Sequence, residues 1–225
     1  MRSNYEYLIN EFRKANEHND NGWFIDGPLT DTYWNANFKI SVINLESYGY
    51  EDCPGTILDY ELLKTWIFDK HPTPNYSSLF VNIIKRAYSL GQIPEKNELR
   101  GIFRNKRLLI EGMNDVAYIN IRKSSNSKVE QNIDEIRKDL LSNSNYLKKQ
   151  IEYLESDLYI WSGVESIRTI NSLYGTHGIR LNSLYKIDNK NMLTVSHFSR
   201  ADYSNYIYLA GLFIDNKRNL TIAST

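Results

Sequence analysis

Three side chains of complementary chemistry stand at the ends of apolar, strand-like runs: Glu46 after NFKISVINL, Asn120 in DVAYINI and His197 after MLTVS. A carboxylate can orient water or stabilise a developing cation. An amide offers one donor and one acceptor to a polar ring edge, and an imidazole can stabilise a departing anion. Together they suit the binding and hydrolysis of a polar, aromatic ligand, with Tyr48 or Phe198 as a stacking wall. Each also has a plainer reading. Glu46 can cap the next helix, Asn120 can satisfy backbone groups in a tight turn, and His197 can be structural. The same run ends carry Asn44, Gly163 and Ser199, and the cations Arg122, Lys123 and Arg200. His177, in a Gly-flanked turn, is a further loop candidate, whereas His18 and His71 read as solvent-facing.

The elements that must position these residues follow from hydrophobic spacing. Ser3 and Glu6 form an S-x-x-E capping box ahead of a helix with Tyr5, Leu8, Ile9 and Phe12 on one face. Strands are predicted over 37–45, 115–121, 157–162 and 192–196, and helices over 57–69, 77–90, 164–173 and 203–213. His71-Pro72-Thr73-Pro74 predicts a break between the second and third helices. A stripe from Val129 to Leu141 is interrupted by Ser142-Asn143-Ser144-Asn145 and resumes at Leu147, Ile151 and Leu154. Strands alternating with helices predict an α/β fold: a three-layer α/β/α sandwich around a central, mainly parallel four-stranded sheet. It is read as one domain over 1–225, with the helix and loop of 1–36 packed on it. In such sheets ligands bind outside the carboxyl ends of the strands, which is why the strand-end residues draw the reading.

Composition bounds the alternatives. Lys+Arg and Asp+Glu both number 27, so the formal net charge is +0, which argues against gripping nucleic acid by bulk charge but not against a local basic lip. Arg122, Lys123 and Arg200 would form that lip. One Cys excludes a disulfide framework, a several-thiolate zinc site and a four-Cys iron–sulfur cluster, and no His, Asp and Glu grouping has a metal spacing. No G-x-G-x-x-G, P-loop or G-x-S-x-G is present. The longest apolar runs fall short of a membrane span, and the N-terminus lacks the apolar core of a secretory signal, so a cytoplasmic protein is expected. Arg104, Lys106 and Arg107 read as a solvated turn. The 17 Tyr, 8 Phe and 4 Trp read mainly as packing and half-buried surface.

The strand-end set resembles the uracil-DNA glycosylase superfamily, and most closely its divergent bacterial and phage members. Residues 44–52, NLESYGYED, occupy the place of a first motif written G-Q-D-P-Y-H or G-E-A-P-G. Asn120 in AYINIRK resembles the Asn that pairs with the base. Residues 150–163, QIEYLESDLYIWSG, resemble the helix–strand–Gly unit, and residues 197–200, HFSR, the final H-P-S-P or H-P-S-R. Ser47 and Phe198 stand where Pro is usual. The resemblance implies a cofactor-free hydrolase of an N-glycosidic bond. Glu46 would orient water and His197 would stabilise the leaving base. Asn44, Tyr48, Asn120, Gly163 and Phe198 would hold the base or nucleotide, and Arg122, Lys123, Ser199 and Arg200 the phosphate. The expected partner is DNA, as a single strand or a flipped base, or a free nucleotide, met by a monomer. Two other readings stay open: a non-catalytic nucleotide- or base-binding protein, and an interaction protein using the Tyr-rich segment 203–213.

Overall fold

The computed structural model describes residues 2–18, 23–45, 56–57, 59–68, 72–123, 133–198 and 202–222. Its centre is a mixed six-stranded sheet. In chain order the strands are β1 (Phe24–Ile25), β2 (Gly27–Pro28), β3 (Ile40–Asn44), β4 (Thr56–Ile57), β5 (Val116–Asn120), β6 (Leu158–Ser162), β7 (Ser183–Ile187) and β8 (Lys190–Val195). The sheet runs β2-β5-β3-β6-β8-β7, while β1 and β4 form a separate parallel pair. The four middle strands pair parallel, and β2 and β7 join antiparallel at the two edges. The sheet therefore has six strands where four were expected. β2 is too short to show a period, and β7 is half-exposed and follows a polar loop.

Eight helices accompany the sheet among the described residues: α1 (Arg2–Asn16), α2 (Tyr60–Phe68), α3 (Pro72–Leu90), α4 (Lys96–Arg104), α5 (Lys106–Gly112), α6 (Ile133–Leu154), α7 (Val164–Tyr174) and α8 (Tyr203–Ile222). β3, β5 and β6 are buried at every residue, which explains their near-continuous apolar reading. Alternate residues supply two cores. Ile40, Val42, Val116, Ile160 and Leu193 pack with Phe80 and Ile84 of α3, Leu109 of α5 and Leu209 of α8. Ile43, Ile119, Tyr159 and Trp161 face the other way, onto Tyr5 of α1, Leu147 and Ile151 of α6 and Ile170 of α7.

Three local readings change. α3 starts at Pro72, so the prolines open this helix instead of only ending its predecessor. Pro72 and Pro74 fall in the first turn, where the missing N–H groups have no intrahelical acceptor to lose. α6 runs unbroken through Ser142-Asn143-Ser144-Asn145, because Ile136, Leu140, Leu147, Ile151 and Leu154 keep one buried stripe across it. The basic run Arg104, Lys106, Arg107 spans the junction of α4 and α5. There Asn105 ends one helix and caps the next, its Oδ1 accepting from the Leu108 N–H at 3.3 Å.

Candidate functional site

Chain direction around the middle strands decides where the topology switches. After β3 the chain passes through α2–α5 before β5 at one side, and after β6 it enters α7 on the way to β8 at the other. The helices after β3 pack on one face and α7 on the opposite one. The neighbours β3 and β6 thus send their continuations to opposite faces. Such a switch point is where open α/β sheets bind ligands.

The sequence ends these strands with small polar side chains. Asn44 closes β3, Asn120 closes β5 beside it in register, and Ser162 closes β6. Alternation puts all three on the sheet face covered by α3, and all are buried, at 4%, 0% and 1% exposure. Among the described residues, Asn120 Oδ1, Ser162 Oγ and Ser78 Oγ on α3 have no hydrogen-bond partner. A buried polar atom without a partner costs about 1–3 kcal/mol, so these atoms are the ones at the strand ends left to be satisfied. Tyr118 contributes from the same face. Burial pushes its hydroxyl up to about 12, and side-chain hydrogen bonds with Ser77 and Asn44 oppose the shift. Gly163 turns the chain from β6 into α7 at φ +90°, and a Cβ there would lie 3.3 Å from Leu45 Cδ1.

The other expected site residues divide. Glu46, Tyr48, Ser199 and Arg200 lie outside the described residues. His197 is half-buried just past β8 and already engaged with a neighbour. The strand end leading to it is tied down by Asn182. Its Oδ1 accepts from the Ser196 N–H at 3.0 Å, the Ser196 hydroxyl at 3.3 Å and Asn205 Nδ2 at 3.3 Å. His177 is exposed in its loop. Phe198, expected as a stacking wall, is fully buried against Phe80, and its carbonyl accepts from the Tyr206 hydroxyl at 2.9 Å. It is core, because its large ring fills the space between β8, α3 and α8.

Arg122 and Lys123 do not form an open lip. Arg122 Nη2 pairs with Glu135 at 2.8 Å. Lys123 is 1% exposed, and its Nζ lies 2.7 and 3.0 Å from the two carboxylate oxygens of Asp26 and 3.0 Å from Gln150 Oε1. A four-carbon stem behind the end of β5 reaches the apolar interior more readily than solvent, and the buried carboxylate on the far side holds the ammonium there. Burial pushes Lys123 below the usual lysine range, against the pull of Asp26.

Asp26 and Gln150 are functional-looking residues that the sequence reading missed. Gln150 Nε2 donates to Asp26 Oδ1 at 2.9 Å and to the Asp26 carbonyl at 2.8 Å, and the Tyr5 hydroxyl donates to that carbonyl at 2.8 Å. The available signals were a lone Asp in the short apolar run WFID and a Gln on the buried stripe of α6. Outside this cluster an open cleft of about 560 Å³ lies along α1 and β2, with Asp26 and Tyr5 in its wall. Its rim cation Arg2 is paired with Glu6 and Asp31, both at 2.8 Å.

Among the described residues no group of three or more His, Cys, Asp or Glu side chains could hold a metal ion, and no helix is long and apolar enough to cross a membrane. No protein-family model matches the chain, and no curated protein matches its sequence.

Proposed function

We propose that the protein binds a nucleobase, as part of a nucleoside or nucleotide, at the carboxyl ends of the parallel strands and hydrolyses its N-glycosidic bond. The observation that carries this reading is the pair of buried, unpartnered atoms Asn120 Oδ1 and Ser162 Oγ beside the buried Asn44 at the switch point. A flat heteroaromatic edge with alternating donors and acceptors would satisfy them. The reading takes the helices on the two faces as the outer layers of a three-layer α/β/α sandwich around the four parallel strands. Glu46, two residues beyond Asn44, would orient water and stabilise the oxocarbenium-like sugar. His197, two residues beyond β8, would stabilise the base as it leaves as an anion.

The inward pairing of Lys123 and Arg122 favours a free nucleotide or nucleoside over duplex DNA, since neither cation is spread along a phosphate track. The test is base release from a panel of nucleosides, nucleotides and base-modified single-stranded DNA, with wild type set against Glu46→Gln and His197→Ala. Each variant is expected to lose about a hundredfold or more in rate. If wild type releases no base, catalysis is excluded. The second reading, a base-binding protein without turnover, is favoured by the burial of Phe198 in the core, which leaves no stacking wall at that position. It predicts binding that Glu46→Gln does not change.

A further inference from the structure

We infer that the outer faces of α4 and α8 form a docking surface for a short acidic, amphipathic helix of a partner protein. The inference does not depend on the base-binding reading, since none of its residues belongs to the strand ends. Lys96, Arg100 and Arg104 are exposed and stand four residues apart on α4. Helical rise puts them on one side, about 6 Å from one to the next. Their basic neighbours are neutralised: Arg86 pairs with Glu98 at 3.9 Å and Arg107 with Glu111 at 2.7 Å. Among the described residues no carboxylate pairs with Lys96, Arg100 or Arg104. Glu98 turns to α3 on the opposite flank of α4, so the ridge is left with three uncompensated positive charges.

α8 supplies the apolar half. Phe103 of α4 lies 6.5 Å from Tyr203 between ring centres, and a Cβ on Gly211 would lie 3.6 Å from Cδ1 of Ile93, just before α4. α8 therefore runs antiparallel beside α4, with Ile207 one turn from each contact. Tyr203 and Ile207 are half-buried, and Tyr208 is 57% exposed. Cations on one helix and apolar side chains on the next call for a partner that is amphipathic in the same sense. Carboxylates repeating every fourth residue of a helix match the spacing of about 6 Å. Two observations favour such a helix over a nucleic-acid strand. Ile207 offers burial but no ring on which a base could stack. Asp202 and Asp215, both exposed, bracket the α8 side and would repel a phosphate backbone continuing past the ridge.

The experiment follows the fluorescence anisotropy of a labelled synthetic peptide titrated with the full chain. The peptide is helical, with Glu at every fourth position and Leu at the position before each. Wild type is expected to bind it about tenfold or more tightly than the version with Gln for every Glu, and to lose that difference as salt is raised. Arg100→Glu with Arg104→Glu is expected to weaken binding of the acidic peptide about tenfold or more, and Tyr208→Ser about threefold or more. All three side chains are exposed, so the melting temperature is expected to stay that of wild type. Where the charge reversal fails to fold, Arg100→Ala with Arg104→Ala takes its place, with a loss of about threefold or more. Equal binding of the two peptides overturns the inference, as does binding that the arginine variants leave unchanged, or no binding at all. Tighter binding of an oligothymidylate, or of phosphatidylserine vesicles, than of the acidic peptide overturns the assignment to a protein partner. None of these outcomes bears on base release, so the two readings fail separately.

Discussion

At the scale of single residues, the strongest constraint is the buried pair Lys123–Asp26, at 2% and 0% side-chain exposure. Removing one partner leaves an uncompensated charge in the interior. Lys123→Met is expected to lose about 3–5 kcal/mol in urea unfolding, and the double variant with Asp26→Asn to recover at least half of that loss. Lys85 gives a separate pH signature. Burial lowers its amine to about 8 from 10.5, with Asp115 opposing. Between those two values the unfolded chain holds more protons than the folded one, so this group makes stability rise with pH across that window. Subtracting the Lys85→Met stability curve from that of wild type between pH 7 and 11 is expected to leave a rising difference, flat below about pH 8. Asn44 and Asn120 were legible in the sequence because each closes an apolar run. The burial of Lys123 was not, since its partner stands 97 residues away and spacing along the chain carries no trace of that pairing.

Among the elements, the middle strands and most helices could be read from their periods, and the misreadings have local physical causes. Ser142-Asn143-Ser144-Asn145 are weak helix formers, but the tertiary stripe on α6 overrides their propensity. α4 was overlooked although Glu95 and Glu98 form a capping box and Leu99 and Ile102 bury one face. β7 was overlooked because its turn uses Asp188 and Asn189, at φ 50° and 59°, without the glycine that usually announces a tight hairpin. Two glycines test the packing of elements. Gly163→Ala puts a side chain at φ +90° between β6 and α7, at an expected cost of about 1–3 kcal/mol and with weakened base binding. Gly112→Ala places a Cβ 1.9 Å from Asn82 Nδ2, which bridges the Ser78 and Leu108 carbonyls. Forcing α5 from α3 there is expected to cost about 1–3 kcal/mol in chemical denaturation.

For the whole molecule, the parallel core determines where the topology switches and its borders determine what the molecule avoids. The strand order could not be read from the sequence, because parallel neighbours are joined through long crossovers and each pairing is a choice among faces and sides. Once that order is known, the switch point between β3 and β6 follows from it. The two antiparallel edges have a consequence of another kind. β2 is two residues long and includes Pro28, which has no N–H to offer, and β7 carries exposed Lys186. Short edges, proline and lysine are the devices by which sheets refuse a strand from a neighbouring molecule. Lys186→Ile is accordingly expected to lower the concentration at which light scattering rises, with little change in melting temperature. The apolar strands, whose fully buried sequences would stack readily into fibrils if exposed, are thereby shielded by two strands that contribute little to the core itself.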